Sequence, residues 1–321
     1  MDKPRIVFMG TPDFAVPSLR AMVEAGYPVI AVFTQPDRPS GRGHKLAACP
    51  VKQYALEQEI PVYQFERVRR SEGLEAMRDL APDLIVTAAF GQILPQKLLD
   101  IPKFGTINVH ASLLPKYRGA APINWCLIHG EEKSGVTTMR TDAGIDTGDM
   151  LLCKEIDILP EETAGELTVR LAEVGADVLL CTLEALAEGA LRPIKQDESQ
   201  MSHQPMLKKE MGRVDFAQDA QRIANLVRGV TPWPGAYATL PDGGTLKILV
   251  ARSCECEASG EVGEVIVSSA KAGLVVRCEG GAVELIEIQA PGSRRMAAKA
   301  YLMGKQIAVG TKLNAVPSGY A

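Results

Sequence analysis

Short, unbroken apolar segments alternate with helical stretches through the first half of this chain. Arg5–Met9 is followed by a helical stretch at Phe14–Ala25, Pro28–Thr34 by one at Val51–Gln58, and Thr106–His110 by Ile123–His129, with a further apolar run at Leu84–Ala88. Strands joined through helical crossovers lie parallel, and a parallel sheet carries helices on both faces. Such strands are buried on both sides and lose the polar alternation of half-exposed strands. Ile6-Val7-Phe8 and Leu84-Ile85-Val86 are continuous in this way. The expectation is an α/β domain with a doubly wound, Rossmann-like parallel sheet.

At 321 residues the chain exceeds the usual size of one domain, and a second is expected. A long helix is predicted over Ala164–Ala187, announced by Thr163 with Glu166 three residues on, the spacing of a capping box. It stops at Gly189. From Leu191 to Glu210 the sequence turns polar and aperiodic, as an interdomain linker does. Beyond it come a helix at Ala220–Val230, a Thr231-Pro232-Trp233-Pro234-Gly235 turn, and short β-rich runs at Leu246–Ala251, Val262–Val267, Leu274–Cys278 and Val283–Ile288. This spacing suggests a smaller, OB-like β-barrel. The expected division is residues 1–189 as a catalytic domain, 190–206 as a linker and 207–321 as the β-barrel domain.

Several function classes are disfavoured early. The seven cysteines include no C-x-x-C pair, and no histidine lies near Cys254 and Cys256 in sequence, so neither a disulfide framework nor a structural zinc site is expected. No apolar run approaches the roughly 20 residues that span a bilayer, and the opening residues read as a strand rather than a leader. A reduced, metal-free, cytoplasmic protein without a membrane partner is expected. Residues 1–189 carry 19 Lys/Arg against 26 Asp/Glu, and residues 190–321 carry 16 against 13. The basic excess of the tail hints at an anionic partner.

Chemistry concentrates in three places. In Thr106-Ile107-Asn108-Val109-His110, strand alternation puts Asn108 and His110 on one face, at the carboxyl end of a strand where doubly wound folds place their ligand crevice. A histidine merely hydrogen-bonded at a sheet edge fits the same pattern. Ser112-Leu113-Leu114-Pro115-Lys116-Tyr117-Arg118-Gly119-Ala120-Ala121-Pro122 follows as a shaped loop rich in hydrogen-bonding groups. Asp142-Ala143-Gly144-Ile145-Asp146-Thr147-Gly148-Asp149 then offers three carboxylates on a turn, without the downstream glutamate of a calcium loop.

Together these three strings resemble the signature of the folate-dependent formyltransferase family, whose catalytic asparagine, histidine and aspartate map onto Asn108, His110 and Asp146. The resemblance extends to Gly10-Thr11-Pro12-Asp13-Phe14, Gln35-Pro36-Asp37-Arg38-Pro39, the linker and the C-terminal β-domain, which favours the branch acting on initiator methionyl-tRNA. It implies 10-formyltetrahydrofolate as formyl donor, bound by Ala89, Phe90, Ser112, Leu113, Leu114, Pro115 and Asp142, with no metal. The residue types suit the reaction. Histidine exchanges protons near neutral pH, a carboxylate orients it, and an amide N–H can donate to an oxyanion.

The segment 37–45 is a glycine-rich loop with positive charges of the kind that grip phosphates, and the resemblance implies that Arg38, Arg42 and Lys45 meet the acceptor end of the tRNA. Lys208 and Lys209, with Arg213, Arg222, Arg228, Lys247 and Arg252, are candidates for a phosphate-binding face on the second domain, in a protein expected to be monomeric. Phe14 and Trp233 read as packing residues. Competing readings are a folate transferase acting on an amino sugar or glycinamide nucleotide, a nicotinamide-dependent oxidoreductase and a non-catalytic tRNA-binding protein. The turn Gly10-Thr11-Pro12-Asp13-Phe14-Ala15 lacks G-x-G-x-x-G, which disfavours the oxidoreductase.

Overall fold

A computed structural model describes residues 3–40 and 45–314. The chain divides into two compact units, one of the residues up to Pro122 with Lys133–Asp157 and Thr168–Gln204, the other of Ile123–Glu132, Ile158–Leu167 and the residues from Pro205 on. The strands through residue 204 are β1 (Ile6–Gly10), β2 (Val29–Thr34), β3 (Arg38–Ser40), β4 (Lys45–Ala47), β5 (Val62–Gln64), β6 (Leu84–Ala88), β7 (Thr106–His110), β8 (Arg118–Gly119), β9 (Lys133–Arg140), β10 (Met150–Asp157) and β11 (His203–Gln204). The helices are α1 (Val16–Glu24), α2 (Pro50–Glu57), α3 (Ser71–Leu80), α4 (Gln96–Leu99), α5 (Pro122–Ile128) and α6 (Ala164–Ala187).

Seven strands form one sheet in the order β10-β9-β7-β6-β1-β2-β5. The five from β7 to β5 pair in parallel, and β9 and β10 extend the β7 edge antiparallel. The chain winds outward from β1 through β2 to β5, then returns to place β6 on the other side of β1. The carboxyl ends of β1 and β6 therefore flank a topological switch point, where open α/β sheets leave a crevice.

Every residue of β1 and β6 is buried, as their largely apolar sequences require. Val7, Met9, Ala31, Phe33 and Ile85 join Met77 of α3 and Leu98 and Leu99 of α4 in one core cluster. By strand alternation Ile6, Phe8, Leu84 and Val86 face the other way, and all four are fully buried. Each such side chain contributes about 1.5–3 kcal/mol relative to exposure.

The register of the sheet decides where the polar residues go. Ile85 pairs with Thr106, Val86 with Ile107 and Thr87 with Asn108. Registered neighbours share a face, so Thr87, Asn108 and His110 lie on the Ile85 side, and Ile107 and Val109 lie on the side where Val109 approaches Gly175 of α6.

The sequence reading had not assigned α3, β5 or β10. The two strands lack its signals, since β5 is only three residues long and β10 is an edge strand with Lys154 and Glu155 exposed, whereas α3 carries them in Leu74, Met77 and Leu80 at helical spacing. The ends of the glycine-rich segment 38–45 pair as the antiparallel strands β3 and β4. The polar stretch after residue 190 contains β11, which pairs in parallel with β8.

The second unit contains α7 (Ala220–Gly229), β12 (Ala236–Thr239), β13 (Thr245–Cys254), β14 (Val265–Ser269), β15 (Gly273–Cys278), β16 (Gly281–Gln289), β17 (Met296–Ala297) and α8 (Ala298–Tyr301). Its antiparallel sheet runs β12-β13-β16-β15-β14, with β17 added to β16. This is the C-terminal β-domain expected from the glycine-punctuated runs. Ile223, Val227 and Val230 join Leu246, Val276, Val283 and Leu285 in its core. Asp219 caps α7, its Oδ1 accepting from the Gln221 amide at 2.9 Å.

The capping box before α6 forms as its spacing predicts. The Thr163 amide donates to Glu166 Oε2 at 2.9 Å, and the Glu166 amide donates to Thr163 Oγ1 at 3.3 Å. The bonds from the Thr163 amide and hydroxyl hold the Glu166 carboxyl below its ordinary value of 4.5. A lowered carboxylate stabilises the fold above its unfolded-state value and loses that contribution as pH falls through the folded one. Thr163→Ala should cost about 1 kcal/mol of stability at neutral pH, read by denaturant titration, and the difference from the parent should shrink as pH drops below about 4.5.

Candidate active site

The site is assembled from β7, the loop after it, and the turn after β9. On β7, Asn108 is half-buried and His110 is 6% exposed. Thr87, registered beside Asn108 on β6, donates its hydroxyl to Asn108 Oδ1 at 2.8 Å. That bond occupies the amide oxygen and turns the Asn108 NH2 group toward Asp146, whose Oδ1 lies 3.4 Å from Nδ2.

His110 Nε2 lies 3.0 Å from the Tyr117 carbonyl oxygen. A carbonyl only accepts, so this contact makes Nε2 the protonated nitrogen. Nδ1 then faces Asp146 Oδ1 at 3.6 Å, beyond normal hydrogen-bond length. Asp146 is fixed from its other oxygen, where Oδ2 accepts from the Gly119 amide at 2.9 Å.

The loop that supplies these backbone groups is itself anchored. Thr137 on β9 donates its hydroxyl to the Ser112 carbonyl at 2.7 Å and accepts from the Leu114 amide at 3.2 Å. The peptide Leu114-Pro115 is cis. Gly119 has φ +96°, and a Cβ there would stand 2.7 Å from both the Gln204 carbonyl oxygen and the His203 ring, so glycine is required where β11 crosses. Tyr117 and Asp146 also adopt positive φ, 62° and 54°. Non-glycine residues in that region cost about 1–3 kcal/mol each and persist where their surroundings hold them, commonly at functional sites.

Beside this cluster lies the switch-point crevice. The loop after β6 carries Ala89 at φ 47° and Gly91 at φ 80°. Its Phe90 carbonyl accepts from Thr11 Oγ1 at 3.3 Å and from Gln35 Nε2 at 3.1 Å. Thr11 and Gln35, both in motifs singled out from the sequence, thus hold this loop in shape. Ala88, Ala89 and Gly91 carry no bulky or charged side chain, and Phe90 and Leu114 are both buried.

Asn108, His110 and Asp146 therefore converge, and the other expected residues make the following contacts. The Ser112 hydroxyl donates to the Lys116 carbonyl at 2.8 Å, inside its own loop. Leu113 packs against Gly135 of β9. The Pro115 carbonyl accepts from the Ser202 amide at 3.4 Å. Asp142 is exposed and closes its own turn, Oδ1 accepting from the Gly144 amide at 3.1 Å and from Thr147 Oγ1 at 2.7 Å. Arg38 pairs with Glu66 at 2.7 Å on the surface. Arg42 lies outside the described residues, and of Lys45 only its place in β4 is described. In the second unit Lys208 and Lys209 are exposed. Phe14 is buried as expected, whereas Trp233, read as packing, is 57% exposed. The two prolines that flank it mark a turn rather than a core position.

Sequence reasoning missed Thr87, Thr137, Tyr117 and Gln196. Thr87 was visible only as a polar residue in an otherwise apolar strand, Thr137 is one of several polar residues of β9, and Tyr117 acts through its carbonyl, which no side-chain pattern reports. Gln196 Nε2 donates to the carbonyls of Asp146 at 2.8 Å and Gly148 at 2.7 Å. Among the described residues no cluster of three or more His, Cys, Asp or Glu could hold a metal ion, and no helix is long and apolar enough to cross a membrane.

Comparison with known proteins adds the family. The formyl transferase pattern matches residues 4–183, and the formyl transferase C-terminal domain pattern matches 206–306. The methionyl-tRNA formyltransferase of Geobacter metallireducens is 52% identical over 309 residues, covering 96% of this chain and 98% of the relative. That of Caldanaerobacter subterraneus subsp. tengcongensis is 50% identical over 310 residues, covering 96% and 99%. The solved sugar 3N-formyl transferase WlaRD superposes with a TM-score of 0.64 at 17% identity, covering 90% of this chain and 98% of that one, a likeness of fold. With both domain patterns matched in order and half of all residues shared with such relatives over nearly the whole length, the chain belongs to the formyl transferase family.

Proposed function

We infer that this protein transfers the formyl group of 10-formyltetrahydrofolate to the α-amino group of initiator methionyl-tRNA, yielding N-formylmethionyl-tRNA for translation initiation. Similarity at about half of all positions to methionyl-tRNA formyltransferases across both domains is the observation that carries it. The convergence of Asn108, His110 and Asp146 supports the roles assigned to them.

The reaction makes three demands on the chain. The attacking amine must lose a proton, the tetrahedral intermediate places negative charge on the former formyl oxygen, and the folate nitrogen must leave with a proton. His110 Nδ1 takes the proton as the new C–N bond forms and returns it to the folate nitrogen as the old C–N bond breaks. While charged, the ring is held by the Tyr117 carbonyl on one side and the Asp146 carboxylate on the other. Opposite charges this close attract strongly where water is scarce. Asn108 donates Nδ2–H to the oxyanion, its amide held in that sense by Thr87. Ala89, Phe90, Leu114 and the neighbouring loops receive the folate.

Residues 1–189 carry this chemistry in our reading, and 207–321 hold the tRNA through Lys208, Lys209 and nearby basic residues, joined by 190–206. The protein works as a cytoplasmic monomer.

Incubation with 10-formyltetrahydrofolate and methionyl-tRNA should yield formylmethionine, whereas amino sugars and free methionine should not react. Asn108→Ala, His110→Ala and Asp146→Ala should each lower kcat far more than they weaken substrate binding, by about 10²–10³ for the oxyanion donor. Near-normal turnover in any of them removes that residue from the mechanism. Arg42→Ala should depress kcat/KM for the tRNA and leave the folate Kd unchanged, and equal loss of folate binding would count against a tRNA-specific contact.

A further inference from the structure

The stretch after residue 190 has a polar composition that gives no hint of catalysis, yet it is fastened to the Asp146 turn and to the loop holding His110. Gln196 is central to it. Its NH2 group donates one bond to the Asp146 carbonyl at 2.8 Å and one to the Gly148 carbonyl at 2.7 Å, spanning the turn that carries the carboxylate. Its Oε1 accepts from Arg118 Nε at 2.9 Å, which fixes which way the amide points.

Arg118 is 3% exposed. A buried guanidinium is costly unless paired and hydrogen-bonded. Its NH1 and NH2 donate to the two Glu198 oxygens at 3.1 Å and 2.8 Å, and this pairing holds the Glu198 carboxyl below its ordinary value, so the pair stays ionised at neutral pH. The next residue, Gly119, supplies the amide that binds Asp146 Oδ2. Asp146 is thus gripped at its side chain by Gly119 and at its backbone by Gln196, and Gln196 is set by Arg118.

The Asp146 backbone needs such a grip, because it stands at φ 54°. A residue in that region relaxes when its surroundings release it, and rotation at Asp146 would carry the carboxylate away from His110. We propose that Gln196, oriented by the buried Arg118, is a positioning residue for formyl transfer that locks the 146–148 turn so that the Asp146 carboxylate stays set against His110 Nδ1 and Asn108 Nδ2. This rests on the role assigned to Asp146 above.

The test is a double-mutant cycle in the full-length protein. Gln196→Met removes the donors at similar size, and Gln196→Glu keeps an acceptor for Arg118 while replacing the donors with a carboxylate oxygen that the two carbonyls repel, so it carries the test if the methionine variant folds poorly. Both should lower kcat by about 10- to 100-fold, the usual cost of freeing a supporting contact. KM for each substrate and the folate Kd should stay close to the parent's, and Gln196→Met, which leaves the buried Arg118 Nε without its acceptor, should lower the melting temperature by a similar amount with or without Asp146. In an Asp146→Ala background, followed by single turnover, the same substitutions should cost less than about twofold, because Gln196 would act through a carboxylate no longer there. Equal losses in both backgrounds, or unchanged kcat in both Gln196 variants, would overturn the proposal. Near-normal turnover of Asp146→Ala alone would overturn the Asp146 role and the proposal with it, and is recognisable because that variant is measured by itself.

Discussion

The backbone of Tyr117–Gly119 hydrogen-bonds both ionisable side chains of the site. The Tyr117 carbonyl takes His110 Nε2, and the Gly119 amide takes Asp146 Oδ2. Neither residue could be set as well by another side chain, since a backbone group has no rotamers to lose and its position is inherited from whatever holds the segment. Here β11 runs alongside as a short parallel partner, with the Tyr117 amide donating to Ser202 Oγ at 2.8 Å. A side chain at Gly119 would strike that partner, and the whole arrangement would open.

The rest of the first unit can be understood as what makes this segment rigid. The parallel strands bury unbroken apolar faces, and the register of β6 against β7 brings Thr87 beside Asn108. The antiparallel addition of β9 sets Thr137 opposite His110, where its hydroxyl pins both Ser112 and Leu114. Rigid placement of a few polar groups at the end of an apolar sheet is how a site keeps geometry that differs little between its resting and reacting states, so that reorganisation costs little during the reaction.

Much of this was legible in the residues. Unbroken runs such as Ile6-Val7-Phe8 declare doubly buried strands, alternation alone puts Asn108 and His110 on one face, and Thr163 with Glu166 announces its helix because capping is a local interaction. What stayed hidden is long-range or carried by backbone. Gln196 lies 50 residues from Asp146 and meets it through a single amide, which leaves no periodicity to detect. The bonds by which Ser112 and Asp142 shape their own loops, Oγ to the Lys116 carbonyl and the Gly144 amide to Oδ1, could not be read from the residues either, because a loop's internal bonds follow no period. Strand β10 escaped notice because an exposed edge strand carries charges that erase its apolar pattern.

The proposed proton transfer requires His110 to stand with Nε2 protonated and Nδ1 available for the proton of the reaction. Nitrogen-15 spectra of protein labelled at its four histidines report this directly, the His110 signals being those lost in His110→Gln. At a pH where the ring is neutral, Nε2 should be of the pyrrole type, bearing hydrogen, and Nδ1 of the pyridine type, without it. A neutral ring protonated at Nδ1 would rule out this role, because the lone pair would then point at the Tyr117 carbonyl and no imidazole base would face Asn108 and Asp146.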